Sequence, residues 1–543
     1  MHINRIKISD FRNLKNFEIT FTASAETADG KSSEFKSHAI IGHNSTGKSN
    51  LMEAIITIFR DLDLNNAASF DYEMAYTIRD HSIEIVASAG KKPAITIDGK
   101  RSSATAIAKH AREYLPSHVF TYYSGKNERI EQLFQAHQKR FTRALRRNED
   151  DLIRRRNEDD LIRRLFYCRG GHSQLVLLAC LLSKHEDFTK LLEDLNILEL
   201  DSALFVLKQP YHLKRTLNQK DIKNGDSRFW YAQGTVVNEF LDKLWELAIA
   251  PIDEVKSKQL DFRGRSEKQE QLYLYLPDKD SLEKLGEQVG PPEVFFRYAE
   301  GAYIGDLIDE VRITVRHKES NGTISFSQLS EGELQLLTVL GLMRITSQDH
   351  CLFLLDEPDT HLNPIWKLRY FDEIEKVIRT NAENTLAGDS QILITTHDPI
   401  MIGGLRKEQV RIIRKGKRGL YVVEPDDHPR GMGVSGLLKS ELFGLSSTVD
   451  LETQRRMQRR NKLFALGQAR SKAEDEELSR LSDELSDLGF ASDFKDPYFA
   501  MFIRKMAIHT KFHKETLTPE EQQEQDAIAD EIIDEILKDE DIQ

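Results

Sequence analysis

The chain opens on alternating apolar and polar positions, and MHINRIKISDF has the period of a half-buried strand. A second alternating region, HSIEIVASAGKKPAITIDGK, breaks at Gly90-Lys91-Lys92-Pro93 and predicts a hairpin. Three other runs do not alternate. HAII at 38–41, CLFLL at 351–355 and QILIT at 391–395 are nearly continuous in apolar residues, as strands buried on both faces of a parallel sheet must be. A helix with an apolar stripe follows the first, and GGHSQLVLLACLL predicts an apolar helix of its own. TISF at 323–326 reads as a strand that runs through Leu-Ser-Glu-Gly-Glu into another apolar helix. GLYVVEPDDHP reads as a strand entering an acidic turn, and the remainder of the chain is helical and highly charged. Strands and helices in this mixture predict an α/β fold with a parallel-sheet core.

Composition narrows the class. The 543 residues suffice for roughly three or four domain-sized units, and 39% hydrophobic with 30% charged residues is the balance of a soluble protein. No apolar run reaches the roughly 18 residues of a membrane span, and the N-terminus lacks the apolar segment of a signal peptide. Cys168, Cys180 and Cys351 stand singly in apolar surroundings and read as reduced core thiols of a cytoplasmic protein. The net charge of -12 is concentrated at one end: residues 515–543 carry 12 acids against one lysine. Two segments are basic. Residues 138–170 hold 11 Arg or Lys against 6 acids, and residues 452–472 hold 7 against one. Such segments neutralise nucleic-acid phosphates or form solvated faces, and charge alone leaves both readings open.

The chemistry begins at the first apolar strand. Gly42-His43-Asn44-Ser45-Thr46-Gly47-Lys48-Ser49, with Asn50 continuing the helix, matches the P-loop pattern between a strand and a helix. The glycines let backbone N–H groups wrap phosphates, Lys48 reaches the β- and γ-phosphates of ATP, and the Ser49 hydroxyl coordinates Mg²⁺. CLFLL ends in Asp356 and Glu357, where ligands bind in open α/β sheets. Asp356 is expected to hold Mg²⁺ and Glu357 to activate the attacking water. His397 ends the third run; alone it would be a structural histidine, but beside the other two strands it reaches a γ-phosphate. Ser330 and Glu333 have the spacing of a capping box. An exposed helix start with Ser330, Glu331 and Gly332 is also an anion site, and one helix end can do both jobs.

These parts, in this order, resemble the ABC-type ATPase head of the SMC and RecF families. The resemblance implies that LSEGE (Ser330, Glu331, Gly332, Glu333) is the signature motif, which binds the γ-phosphate of ATP held by a second subunit. Glu331 departs from the commoner glycine, and its carboxylate either weakens that clamp or points away. The resemblance further implies that ISDFRNL places Arg12 and Asn13 near the nucleotide. It makes Asp359, Thr360 and His361 the D-loop, and it offers Gln174 as the Q-loop ligand to Mg²⁺, although an ordinary helix-start glutamine reads equally well. TYYSGKNERIEQLF, GGHSQLVLLACLL, DEPDTHLNPIW and KDPYFAMFIRKM carry a closer resemblance, to the PtuA ATPases of Septu antiphage systems and their retron-linked versions. That resemblance implies a head-to-head homodimer or higher oligomer and a separate HNH nuclease of the PtuB kind. In retron-linked versions it adds a reverse transcriptase and its RNA–DNA product.

The expected organisation is an ATPase head with an antiparallel β lobe, interrupted by a helical insertion and followed by a helical C-terminal domain. Residues 1–125 form the first lobe with the P-loop and 126–300 a mainly helical insertion. Residues 301–425 form the second lobe with the signature, acid pair and histidine, and 426–543 a partner-docking region with an acidic tail. RNEDDLIRR occurs twice in tandem, at 147–155 and 156–164; a period of nine turns the two copies to opposite sides of a helix and reads as a duplication without function. Glu424, Asp426 and Asp427 lack the later Asp-x-Asp strand of a Toprim nuclease. The rival functions are a RecF-like DNA-repair ATPase, or an ATPase that is itself a nuclease of the OLD type.

Overall fold

The three continuous apolar runs lie side by side in a seven-stranded sheet. Its order is Leu165–Tyr167, Val119–Tyr123, Leu352–Asp356, Gln391–Thr395, Ser37–Ile41, Val410–Gly416 and Gly419–Val423. The first six strands are parallel and the last is antiparallel. Every residue of Ser37–Ile41, Leu352–Asp356 and Gln391–Thr395 is buried, which is why these runs carry no polar alternation. The chain is known from a computed structural model that describes residues 1–26, 32–125, 129–145, 164–210, 213, 222–223, 225–234, 236–259, 266–318, 322–346, 350–384, 390–417, 419–445, 447–488, 502, 505–506, 509–513 and 519–538. The tandem RNEDDLIRR repeat, up to Arg164, and most of KDPYFAMFIRKM lie outside the described residues.

A six-stranded antiparallel sheet contains the alternating N-terminus as His2–Phe11, flanked by Leu14–Thr20 and Tyr72–Ile78. It also contains the expected hairpin, His81–Ala87 with Ala94–Ile97, in which Ile83 faces Ile97 and Ile85 faces Ile95. The P-loop helix Lys48–Asp63 is wrapped by one core drawn from both sheets: Ile3, Ile6 and Ile8 on one side, Leu352, Leu354 and Leu393 on the other. Each such Leu or Ile contributes about 2 kcal/mol by leaving water. Even Glu53, Asp61 and Asp63 of this helix are buried. Asp63 accepts hydrogen bonds from His137 (2.8 Å), Arg140 (2.7 Å) and Arg164 (2.8 Å), and those partners hold its carboxyl well below the usual range against its burial.

The insertion adds strands that the sequence did not announce. Residues 126–300 hold helices such as His172–Leu182 and Lys279–Val289, and also three long strands, Ile197–Lys208, Ile249–Gln259 and Ser266–Leu276. They join Ile308–His317 and Gly322–Ser325 in a five-stranded antiparallel sheet. The periodicity failed for Ile249–Gln259 because Ile252, Asp253, Glu254 and Val255 are all exposed, so that this strand does not alternate between a buried and a solvent face.

Residues 402–407 and 425–543 form a second compact unit. Among the described residues its regular elements are helical, including Leu451–Ala465, Lys472–Asp487 and Pro519–Lys538. Three of the seven basic residues at 452–472 are ion-paired inside this unit. Arg459 meets Glu477 at 2.7 Å, Arg470 meets Asp475 at 2.7 Å, and Arg456 is paired with Glu452.

Candidate functional site

The parallel strands end together, and the residues expected to handle ATP follow from those ends. After Ser37–Ile41 the chain turns through 42–47 into the helix. Ser45 and Gly47 have φ of 68° and 89°, a left-handed turn that points successive N–H groups inward. A side chain at Gly47 would strike Asn13 Oδ1 at 2.8 Å and Leu14 Cδ2 at 2.9 Å, so only glycine fits. The loop is braced within itself: Thr46 Oγ1 donates to the His43 carbonyl at 2.7 Å, while the Asn44 side chain is exposed. Asn13 Nδ2 donates to the Ser45 carbonyl at 3.0 Å and Asn50 Nδ2 to Asn13 Oδ1 at 2.7 Å. Asn13 thus touches the loop. Arg12 instead ion-pairs with the buried Glu53, which also takes Arg129 at 2.9 Å.

Lys48 is buried and donates to the carbonyls of Gly42 (2.7 Å) and His43 (3.5 Å). Burial lowers its pKa, opposed by the carboxylates of Glu357 and Asp356. Asp356, 2% exposed, pairs in register with Thr395 on the adjoining strand and accepts a hydrogen bond from that hydroxyl. Burial raises the Asp356 pKa, and hydrogen bonds from Ser49 and Thr395 oppose the rise. Its other oxygen, Oδ2, has no partner of normal hydrogen-bond geometry. A buried carboxylate oxygen of this kind, close to the Ser49 hydroxyl, suits a hard cation that takes oxygen ligands and phosphate, so the residues fit Mg²⁺.

Glu357 stands at φ 50°, strain on the order of 1–2 kcal/mol for a residue with a Cβ. Its N–H is held by the Thr395 carbonyl at 3.1 Å and the Thr395 hydroxyl at 3.2 Å. The turn brings Glu357 Oε1 to 3.2 Å from His397 Nδ1. Glu357 also anchors the D-loop segment, since Thr360 Oγ1 donates to its carbonyl at 2.9 Å. Asp359 is buried, accepts from Thr396 Oγ1 at 3.0 Å, and burial raises its pKa.

The signature segment lies at another helix start, Glu331–Thr346. Ser330 N and Oγ both donate to Glu333 Oε2 at 2.7 Å, and Glu333 N returns a bond to Ser330 Oγ at 3.3 Å, completing the capping box. Glu331 is turned toward the D-loop, where its carboxylate meets His361 Nδ1 at 3.0 Å. A Cβ at Gly332 would lie 2.6 Å from the His361 carbonyl oxygen. Glycine there is required by packing against the D-loop of the same chain, whatever else it binds.

Gln174 lies in the first turn of helix His172–Leu182. With its amide nitrogen turned inward it donates to the carbonyls of Gly171 (3.0 Å) and Gly170 (3.2 Å), and it lines a cavity of about 630 Å³ with Tyr122, Tyr123, Arg169, Ser327 and Glu331. None of its described hydrogen bonds reaches Ser49 or Asp356. Two residues that sequence reasoning missed do sit at the acid pair. Thr395 ties Asp356 to Glu357, and the doubled threonine of ILITTH was the only signal for it. Tyr123 is in register with Asp356 on the next strand; burial, with Asp356 and Glu357 nearby, raises its phenol pKa.

The family model described as "AAA domain, putative AbiEii toxin, Type IV TA system" matches residues 37–402. The Septu protein PtuA of Bacillus mycoides (strain KBAB4) is 29% identical over 137 residues, 25% of this chain and 18% of PtuA. The Retron Vc95 probable ATPase of Vibrio cholerae serotype O1 biovar El Tor is 26% identical over 148 residues, 24% of this chain and 27% of that protein. The chain therefore spans less than a third of either curated relative it matches. Among solved structures, the SMC head domain from Thermotoga maritima aligns over 78% of this chain and 99% of its own, at 12% identity and a TM-score of 0.30. A RecF recombination mediator structure aligns over 78% and 98%, at 14% identity and 0.27.

Proposed function

We propose, from the premise that this chain belongs to the AAA-domain family of putative AbiEii type and is related to PtuA, that it is the regulatory ATPase of an antiphage defence complex. The observation that carries the reading is the convergence of Lys48, Asp356, Glu357 and His397 at one end of a parallel sheet. Phosphate binding exchanges the Gly42 and His43 carbonyls on Lys48 for phosphate oxygens. Ser49 and Asp356 are the residues that would hold Mg²⁺, which supplies charge for the phosphates and the leaving oxygen. Glu357 takes a proton from the attacking water, and His397, against its carboxylate, orients it. Ser330 and the N–H groups behind it receive the γ-phosphate of ATP bound to a second copy, which makes hydrolysis depend on head-to-head pairing.

The assembled heads set the geometry in which a separate HNH nuclease of the PtuB kind is held or released, with residues 426–543 as its docking region. A retron reverse transcriptase and its RNA–DNA product are further partners on the same reading. In-chain pairing of Arg456, Arg459 and Arg470 in the basic run at 452–472 favours this over a DNA-repair role that would use that run for phosphates.

Glu357→Gln tests the assignment. The variant should bind ATP as the native chain does and release phosphate at least about 100-fold more slowly, an effect of general-base size. Turnover at the native rate would sink it. Proteins co-purifying with this trapped variant, identified by mass spectrometry, should include a small HNH protein; recombination proteins instead would favour the repair reading.

A further inference from the structure

The strand Ile249–Gln259 lies at the edge of the five-stranded sheet, and its only strand partner among the described residues is Ser266–Leu276. Beyond the irregularity at Ala250-Pro251, residues 252–259 make a long regular edge, and exposed edges present unpaired backbone groups to any second strand. Proteins usually blunt such an edge with charges of one sign or by burying it. Here Ile252 and Val255 are 59% and 61% exposed, and the charges change sign around Val255: Asp253 and Glu254 before it, Lys256 and Lys258 after it.

We propose that this edge pairs with the same edge of a second copy, antiparallel, about a twofold axis through Val255. A twofold between identical antiparallel strands sets one residue against itself, and only one nearby choice is electrostatically allowed. With Val255 on the axis, Glu254 of each copy faces Lys256 of the other, Asp253 faces Ser257, and the two valines meet. Moving the axis by one residue sets Glu254 against Glu254, or Lys256 against Lys256, and like charges directly opposite are destabilising. The pattern is self-complementary in one register and repulsive in its neighbours, as a strand-addition interface requires. The interface is isologous and separate from the head-to-head contact through Ser330. A chain that uses both assembles beyond a dimer.

The test uses the full chain carrying Ser330→Arg, without nucleotide, so that any head pairing is removed and the outcome does not depend on the proposed ATP mechanism. The three native cysteines are buried, so Val255→Cys adds the one exposed thiol. Light scattering should give twice the chain mass, and copper-phenanthroline should convert most of the chain to a disulfide-linked dimer. Adding Lys256→Glu should return both to background, and the exchange Glu254→Lys with Lys256→Glu should restore them. Ser257→Cys, which faces Asp253 rather than itself, should cross-link only at background. A monomeric mass without cross-link overturns the proposal, and so does a cross-link indifferent to Lys256→Glu, since that reports collision rather than register.

Discussion

The P-loop half of the site and the signature half are made differently. At the strand ends Lys48 and Asp356 are buried, Glu357 is held at a left-handed φ, and Thr395 binds both carboxylate residues. At the signature Ser330 is exposed and its side-chain hydrogen bonds stay within its own helical turn. The first half is assembled by the core, from residues hundreds of positions apart. The second is a local capping motif that would form on almost any helix. Its groups are satisfied before a partner arrives, so engaging a phosphate must replace the Ser330–Glu333 bonds. The buried half can hold charge in fixed geometry, while the exposed half can be reached by another molecule.

This contrast is sharpened first by Ser330→Arg. It should reduce ATP-linked dimerisation by about 100-fold, the scale of losing an oriented anion donor, while leaving ATP affinity at the P-loop within about twofold. Sedimentation with and without ATP, beside nucleotide titration, reads the two separately; a parallel loss of ATP binding would merge the halves. Thr395→Val keeps the shape and deletes the hydroxyl. Leaving the buried Asp356 oxygen unpaired costs about 2 kcal/mol of stability, and phosphate release should slow about tenfold because Glu357 loses its brace. Native turnover in that variant would make Thr395 purely structural.

The buried half is also expected to be acid-sensitive. His38 on the P-loop strand is fully buried, and burial, reinforced by nearby His2, lowers its pKa to about 3 despite its Nε2–H donating to the Thr22 carbonyl. The unfolded chain therefore binds the proton first. Stability from this residue is complete above about pH 6.5 and is lost as pH falls toward the folded value, by about 2 kcal/mol between pH 6.5 and 5. Urea melts at the two pH values should show this, and His38→Gln should flatten the difference. Smallest is Glu331→Gly, which exchanges an exposed ion pair with His361 for a more flexible helix start. It should cost about 0.5–1 kcal/mol and tighten ATP-linked dimerisation several-fold by removing a carboxylate beside the phosphate site. Unchanged dimerisation would mean that the His361 contact already neutralises it.

Much of this was readable in the sequence, for reasons that differ by element. Short continuous apolar runs ended by turn residues suit the interior of a parallel sheet, so Ser37–Ile41, Leu352–Asp356 and Gln391–Thr395 were evident from their pattern. The glycine and lysine spacing of the P-loop and the Ser330–Glu333 cap are local chemistry, and local chemistry survives in a string of letters. The strand Ile249–Gln259 was not readable, because Ile252, Asp253, Glu254 and Val255 are all exposed and leave no hydrophobic period, whereas its partner does alternate, as QLYLYL, and that signal was missed. Gln174 could not be placed, since a glutamine at a helix start looks alike whether it faces a metal or two glycine carbonyls. By itself the sequence determined which residues can bind phosphate, which strands must be buried and where helices begin. Only the tertiary structure decided that Thr395 joins Asp356 to Glu357, that Glu53 claims Arg12 and that Gly332 is needed against His361. Those contacts join segments far apart in the chain, and strand order, which sets them, leaves no mark on any single segment.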